Sequence, residues 1–158
     1  TINLKNDEKL IDEVDRKILS ILCENAKIPI RELAKRVGVS IGTAHNKIKR
    51  LEKEGYISSY RAIVNWAKAG YTITAIIEVV ISGGKLLELE KMISEFPNVL
   101  SVYDVTGESD VILIAKFKSH DELSSFTKTL LSLEHVERTN THIVLTTVKE
   151  GSCMSPSI

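Results

Sequence analysis

The apolar positions of this chain change period along its length. Over residues 10–24 they fall at Ile11, Val14, Ile18, Ile21 and Leu22, three or four apart, which predicts a helix. Asp12, Glu13 and Asp15 crowd its start, where negative charge suits the helix dipole. Residues 30–54 predict two more short helices joined by a tight turn. Leu33, Ala34, Val37, Val39, Ala44, Ile48 and Leu51 form one apolar comb that locks these helices together. Gly38 stands where the chain turns and a left-handed backbone is cheapest for glycine. Ser40 follows at a helix N-cap position, and Gly55 stops the third helix. Residues 56–64 then look extended: a wing, a strand that pairs with a partner, or a linker. Together these make a small winged-helix-like module over about the first 65 residues.

From Gly70 the period shortens. Residues 71–81 are β-branched and nearly continuously apolar, a strand signal. Gly83 and Gly84 break it, and Leu86, Leu89, Met92, Ile93 and Phe96 return to helical spacing. Pro97 and Asn98 end that helix. Residues 99–106 read as a strand, 107–109 as a tight turn and 110–117 as another strand. Ser119 with Glu122 is a capping-box signal for a helix through Leu123, Phe126, Leu130 and Leu133, and residues 136–148 close as a final strand. The order β-α-β-β-α-β predicts a ferredoxin-like sheet with helices on one face. The fold class is therefore α+β: an N-terminal winged helix-turn-helix at 8–58, a linker strand at 59–70, the ferredoxin-like domain at 71–149 and a flexible tail at 150–158.

That sheet is too apolar for a single chain. Ile73, Ala75, Ile77, Val79 and Ile81 form one stripe, yet Ile76 and Val80 lie on the other; Ile112 and Ile114 likewise oppose Val111, Leu113, Ala115 and Phe117. An antiparallel sheet with one wet face alternates cleanly, so an exposed patch of this kind predicts sheet-to-sheet dimerisation.

Composition narrows the class. The 158 residues are net neutral, with 21 basic and 21 acidic side chains. The neutrality conceals an asymmetry: through Asn65 there are 13 basic and 9 acidic groups, leaving 8 and 12 for the rest. Between Arg31 and Arg61 the count is 8 to 3, so the positive field gathers on the helix-turn-helix, where phosphate neutralisation needs it. No apolar run is long enough to span a bilayer, and the beginning of the chain lacks the apolar core of a secretory signal. Cys23 and Cys153 show no CxxC spacing; Cys23 reads as a packed thiol and Cys153 as part of a polar tail, which fits a reducing, cytoplasmic setting with no metal framework. Glutamine is absent, a compositional trait of some hyperthermophile proteins.

With Ala44, Ile48 and Leu51 inward, the second helix of the motif turns Gly42, Thr43, Asn46, Lys49 and Arg50 outward, with Ser40 and His45 at the edge. Asn46 is suited to bidentate pairing with adenine, and Lys49 or Arg50 to guanine or phosphate. Gly42 permits close approach of backbone to DNA. Arg31 and Arg36 are suited to phosphate contacts, which position without specifying; Lys47 is a further DNA-binding candidate.

Motif order now carries a resemblance. Ile11-Asp12-x-x-Asp15-x-x-Ile18-Leu19-x-x-Leu22, Leu33-Ala34, Val37-Gly38-Val39-Ser40, Ile48-Lys49-Arg50-Leu51-Glu52 and Gly55-Tyr56-Ile57 are similar to the DNA-binding domain of the Lrp/AsnC (leucine-responsive, feast/famine) transcription regulators. Val105-Thr106-Gly107-x-x-Asp110 and Thr139-x-Thr141 resemble the effector-binding domain of the same family. The resemblance covers roughly residues 8–149. It implies a homodimer, often assembled to an octamer, that binds pseudo-palindromic operators in double-stranded DNA, and a small-molecule effector, usually an amino acid, held at the regulatory-domain interface. It implies no catalytic residue and no cofactor. On that reading Thr106 and Gly107 offer the turn that holds a carboxylate, Asp110 accepts from an α-ammonium group, and Thr139 and Thr141 supply hydroxyls. The same 107–110 segment is also an ordinary hairpin turn, and the residues alone leave both open. The chain departs from the family at Lys47, where arginine is frequent, at Ser109, where an aromatic is common, and at Gly42, unexpected inside a recognition helix.

Other function classes fit less well. His45, His120, His135 and His142 are scattered, and there is no phosphate loop or nucleophile elbow. Sirohaem decarboxylases resemble these regulators in both domains, but an acidic porphyrin calls for clustered His and Arg, and Arg138 is the one arginine of an acidic second domain. A chromatin-like protein would call for more net positive charge.

Overall fold

The helical part of the chain is built by its caps. In this computed structural model, which describes residues 11–151 and 153–154, the first helix, α1 (Glu13–Glu24), starts from a reciprocal capping box. The Asp15 backbone N–H donates to Asp12 Oδ1 at 2.8 Å, and the Asp12 N–H donates to Asp15 Oδ2 at 2.9 Å. Pro29 precedes α2 (Ile30–Val37), with its φ of −59° already suited to helix entry. Gly38 closes α2 in the left-handed region, and the N–H groups of Gly38 and Val39 both donate to the Ala34 carbonyl. Ser40 then caps α3 (Ile41–Lys53), its Oγ accepting from the Thr43 N–H at 3.1 Å. Ile18, Leu33, Ala34, Val37, Ala44 and Leu51 form the buried centre of this unit, with Val39, Ile48 and Ile57 packed against it.

The remainder forms a four-stranded antiparallel sheet, β1 (Ile73–Ile81), β2 (Val99–Asp104), β3 (Val111–Phe117) and β4 (Val136–Ile143), in the order β2-β3-β1-β4. Helices α4 (Leu86–Ser94) and α5 (His120–Ser132) complete the βαββαβ sequence. Ala75, Ile77 and Val79 of β1 and Val111, Leu113, Ala115 and Phe117 of β3 are buried with Ile93 of α4 and Leu123, Phe126 and Leu130 of α5. Strand alternation puts Ile76, Glu78, Val80, Ile112 and Ile114 on the other face. The register aligns Val80 with Arg138, Glu78 with Asn140 and Ile76 with His142.

The chain divides into two compact units. One runs to Ala62 and takes back the chain from Lys149; the other is Ile63–Val148. Several expectations are corrected. Residues 56–64 form no strand within the chain, so neither a wing nor a linker strand is paired here, and a turn at 66–70 leads into β1. The final strand stops at Ile143 rather than at 148. Cys23 is not a packed thiol: it is exposed on α1 and bonded to Cys153, Cα to Cα 5.7 Å, because the tail returns to the helical unit. The expected domain start at residues 8–10 and the tail end at 155–158 lie outside the described residues.

Candidate DNA-binding and effector sites

A short polar ridge on α3 is the first candidate site. Ser40, Gly42, Thr43, His45, Asn46 and Lys49 are exposed, as is Arg31 on α2. The Ser40 and Thr43 hydroxyls lie 2.8 Å apart and pin each other at the start of the helix. Gly42 has open space around it: an added Cβ meets only Ser40 Oγ, at 3.9 Å.

Lys47 and Arg50 do not join this ridge. Asp15 is fully buried, and its carboxylate accepts from Lys47 Nζ at 3.0 Å and from Arg50 Nη2. Lys47 also pairs with Asp12. The expectation that Arg50 faces outward is thus corrected: a buried carboxylate demands a cation, and the half-buried Arg50, next to the inward-facing Leu51, supplies it. The Lys47 hydrogen bond, reinforced by the Asp15 backbone N–H, holds the Asp12 carboxyl down at about 2. Lys47 is raised in return, chiefly by its bond to Asp12, and Arg50 chiefly by its bond to Asp15. The acidic start of α1, read from sequence as dipole compensation, is therefore also the anchor of α3.

The second candidate is a cleft of about 290 Å³ on the sheet face away from α4 and α5, lined by Glu78, Val80, Glu108, Ser109, Arg138, Thr139 and Asn140. Of the expected effector residues, Thr139 lines it. Thr106 and Gly107 are exposed in the β2–β3 turn beside it, Gly107 at φ +127°. Thr141 pairs with Ile77, on the opposite side of β4 from Asn140. Asp110 is committed elsewhere: its Oδ2 accepts from the Ile81 N–H at 2.7 Å, its N–H donates to the Val79 carbonyl, and its carbonyl accepts from the Val105 N–H. It clamps the turn onto β1 where the β1–β4 register shifts between Val80 and Ile81. The expected ammonium acceptor is a structural clamp.

Glu78, not Asp110, is the carboxylate on β1 that lines the cleft. Its Oε2 accepts from Asn140 Nδ2 at 3.2 Å and from Ser109 Oγ at 3.4 Å, and its Oε1 lies 3.4 Å from His142 Nε2. Sequence reasoning passed over Glu78, Glu108 and Asn140. One signal was available: Glu78 is the sole charge in the strand Ile-Thr-Ala-Ile-Ile-Glu-Val-Val-Ile, a costly residue to place there without a task. Among the described residues no group of His, Cys, Asp and Glu gathers to hold a metal ion, and no helix is long and apolar enough to cross a membrane.

Comparison with known proteins covers both parts of the chain. A winged helix-turn-helix DNA-binding model matches residues 11–58, and the Lrp/AsnC ligand binding domain matches residues 74–154. An HTH-type transcriptional regulator of Pyrococcus furiosus is 46% identical over 92% of this chain and 99% of its own length. Among solved structures, a transcriptional regulator of Neisseria meningitidis in complex with L-Met superposes with a TM-score of 0.87 at 30% identity, covering 94% of this chain and 98% of the other. AsnC of E. coli superposes with a TM-score of 0.84 at 26% identity, covering 91% and 98%.

Proposed function

Given that the chain belongs to the Lrp/AsnC family of transcription regulators, we propose that it reads pseudo-palindromic operators as a homodimer and that an amino acid in the sheet-face cleft modulates this binding. The observation that carries the DNA reading is the exposed ridge Gly42, Thr43, His45, Asn46 and Lys49 on a helix capped by Ser40. Asn46 reads a base edge; Arg31 and Lys49 hold phosphates. Lys47 and Arg50 contribute by orienting α3 through Asp12 and Asp15.

Dimerisation is supported by the apolar outer sheet face, Ile76, Val80, Ile112 and Ile114, with Tyr103 exposed opposite Ile112. The cleft lies on the same face, so assembly into a dimer or octamer brings a partner close to it. Two-fold symmetry of the protein is matched by two half-sites in the DNA. The neighbour from Neisseria holds L-Met, which supports an amino acid as the effector class here. Work on DNA supports a cytoplasmic setting. The named relatives are regulators, which favours this reading over a sirohaem decarboxylase.

The test is fluorescence anisotropy with a duplex covering the protein's own promoter against a random duplex of equal length, over a salt series, with and without a pool of the twenty amino acids. Preference for the promoter that shifts with the pool is expected. Asn46→Ala should cost about 1–3 kcal/mol on the operator and much less on random DNA. Equal loss on both duplexes removes the base-reading role.

A further inference from the structure

The charges around the cleft do not balance for a neutral amino acid. Two carboxylates, Glu78 and Glu108, and one guanidinium, Arg138, line the cleft, with His142 Nε2 3.4 Å from Glu78 Oε1. Among the described residues neither Glu108 nor Arg138 has an ion-pair partner, and both are exposed, free to close on a ligand. Glu78 is different: half-buried and held by Asn140 and Ser109, it is preset.

An α-amino acid brings one carboxylate and one ammonium. The carboxylate matches Arg138, whose fork suits bidentate pairing. The ammonium matches the preset Glu78, which lies two residue pairs along the β1–β4 ladder from Arg138 and so on the same face. Among the described residues of the chain, Glu108 then has no cation to answer it. With a leucine or methionine side chain, closing the cleft desolvates a carboxylate with nothing in return. With an aspartate side chain, like charges are added. A cationic side chain pairs with Glu108 and completes the set. The volume, about 290 Å³, stands at the small end of ligand clefts, about 300–1,000 Å³, and restricts the occupant to a single small metabolite.

We propose that the effector of this protein is an amino acid with a cationic side chain, held by Arg138 at its carboxylate, by Glu78 at its α-ammonium group and by Glu108 at its side-chain charge. The inference rests on the reading of this cleft as the amino-acid effector site.

The experiment is isothermal titration of the full-length protein near neutral pH with L-lysine, L-arginine, L-leucine, L-methionine, L-aspartate and cadaverine (a diamine without the carboxylate). Lysine or arginine binds about 10–100-fold more tightly than leucine or methionine, the range of one charge-assisted contact. Glu108→Gln, an exposed turn substitution that leaves the core untouched, collapses that ratio. Arg138→Met abolishes lysine binding. A neutral or acidic amino acid binding as tightly as lysine overturns the specificity while leaving the effector site standing. An undiminished lysine preference in Glu108→Gln overturns the role of Glu108. Cadaverine binding as tightly as lysine, or no binding by any of the amino acids, overturns the effector reading itself.

Discussion

Replacing Asp15 by asparagine tests the anchoring of the recognition helix most directly. The carboxylate is fully buried and accepts from the Asp12 N–H, from Lys47 and from Arg50. Asparagine keeps the shape and one oxygen, but turns the other position into a donor aimed at a cation. One charge-assisted hydrogen bond is worth about 1.5–3 kcal/mol, and breaking a buried pair costs about 3–5 kcal/mol when the partner is stranded. Here the partners are not stranded: the Lys47 side chain is 19% exposed and that of Arg50 36%, so both heads regain water. The expected loss is therefore about 2–3 kcal/mol. For a unit of this size that lowers the melting midpoint by roughly 10–20 °C, followed by circular dichroism under non-oxidising, non-reducing buffer so that the disulfide is unchanged. A second readout separates anchoring from simple destabilisation. Lys47 keeps its pair with Asp12 while the freed Arg50 becomes available to phosphate, so the salt dependence of random-duplex binding, measured well below the melting range, steepens by up to about 0.9. A variant within about 0.5 kcal/mol of the parent, the scatter of ordinary surface changes, and with the same salt slope refutes the assignment.

Three further outcomes follow from the same geometry. Gly42→Ala places a methyl group in open space 3.9 Å from Ser40 Oγ, so thermal unfolding should show a gain of up to about 1 kcal/mol from helix propensity while operator affinity falls; unchanged affinity removes the close backbone approach. Asp12 is held at about 2, below its ordinary 3.8, so its contribution to stability is present above pH about 4 and is lost as pH falls toward about 2; Asp12→Asn should flatten that part of the melting-temperature profile, and an identical profile contradicts the ion pair. Asp110→Ala leaves the Ile81 N–H without its acceptor and should cost about 1–3 kcal/mol of stability, seen as a lower urea midpoint; a variant as stable as the parent, yet deaf to lysine, would return Asp110 to the role of ligand contact.

What could be read from the sequence is what is encoded locally. Gly38 and Ser40 announce a turn and a cap through their own backbone preferences, and both stand where expected. Ser119 caps α5 as its spacing with Glu122 suggests, although Glu122 reaches the Lys118 N–H and Asn98 rather than the Ser119 N–H. The alternation of β1 and β3 separated the two sheet faces correctly. The features that escaped are those set by pairing across distance. Asp15 meets Arg50 across 35 positions, and Glu78 meets Asn140 through strand register, which neither strand carries alone. Asp110 looked like a ligand contact because turn residues and binding residues share a chemistry; its bond to Ile81 depends on where β1 passes the turn. The polar β4 sequence, Val-Glu-Arg-Thr-Asn-Thr-His-Ile, gives a weak strand signal yet supplies three of the cleft residues.

The bond between Cys23 and Cys153 alters what holds the protein together as a single object. A chain with two units is ordinarily divided by one cut between them. Here residues 23 and 153, 130 positions apart, are joined, so the sheet unit is an arc of a closed ring that leaves the helical unit at Ala62 and re-enters it at Lys149. Closing an arc of that length removes about 5 kcal/mol of denatured-chain entropy in the loop-closure account. It also makes the exposed segment at Ile63 expendable as a covalent link: a protease that severs it opens the ring but frees neither piece. The DNA-binding domain and the ligand-binding domain remain one molecule until the disulfide is reduced as well.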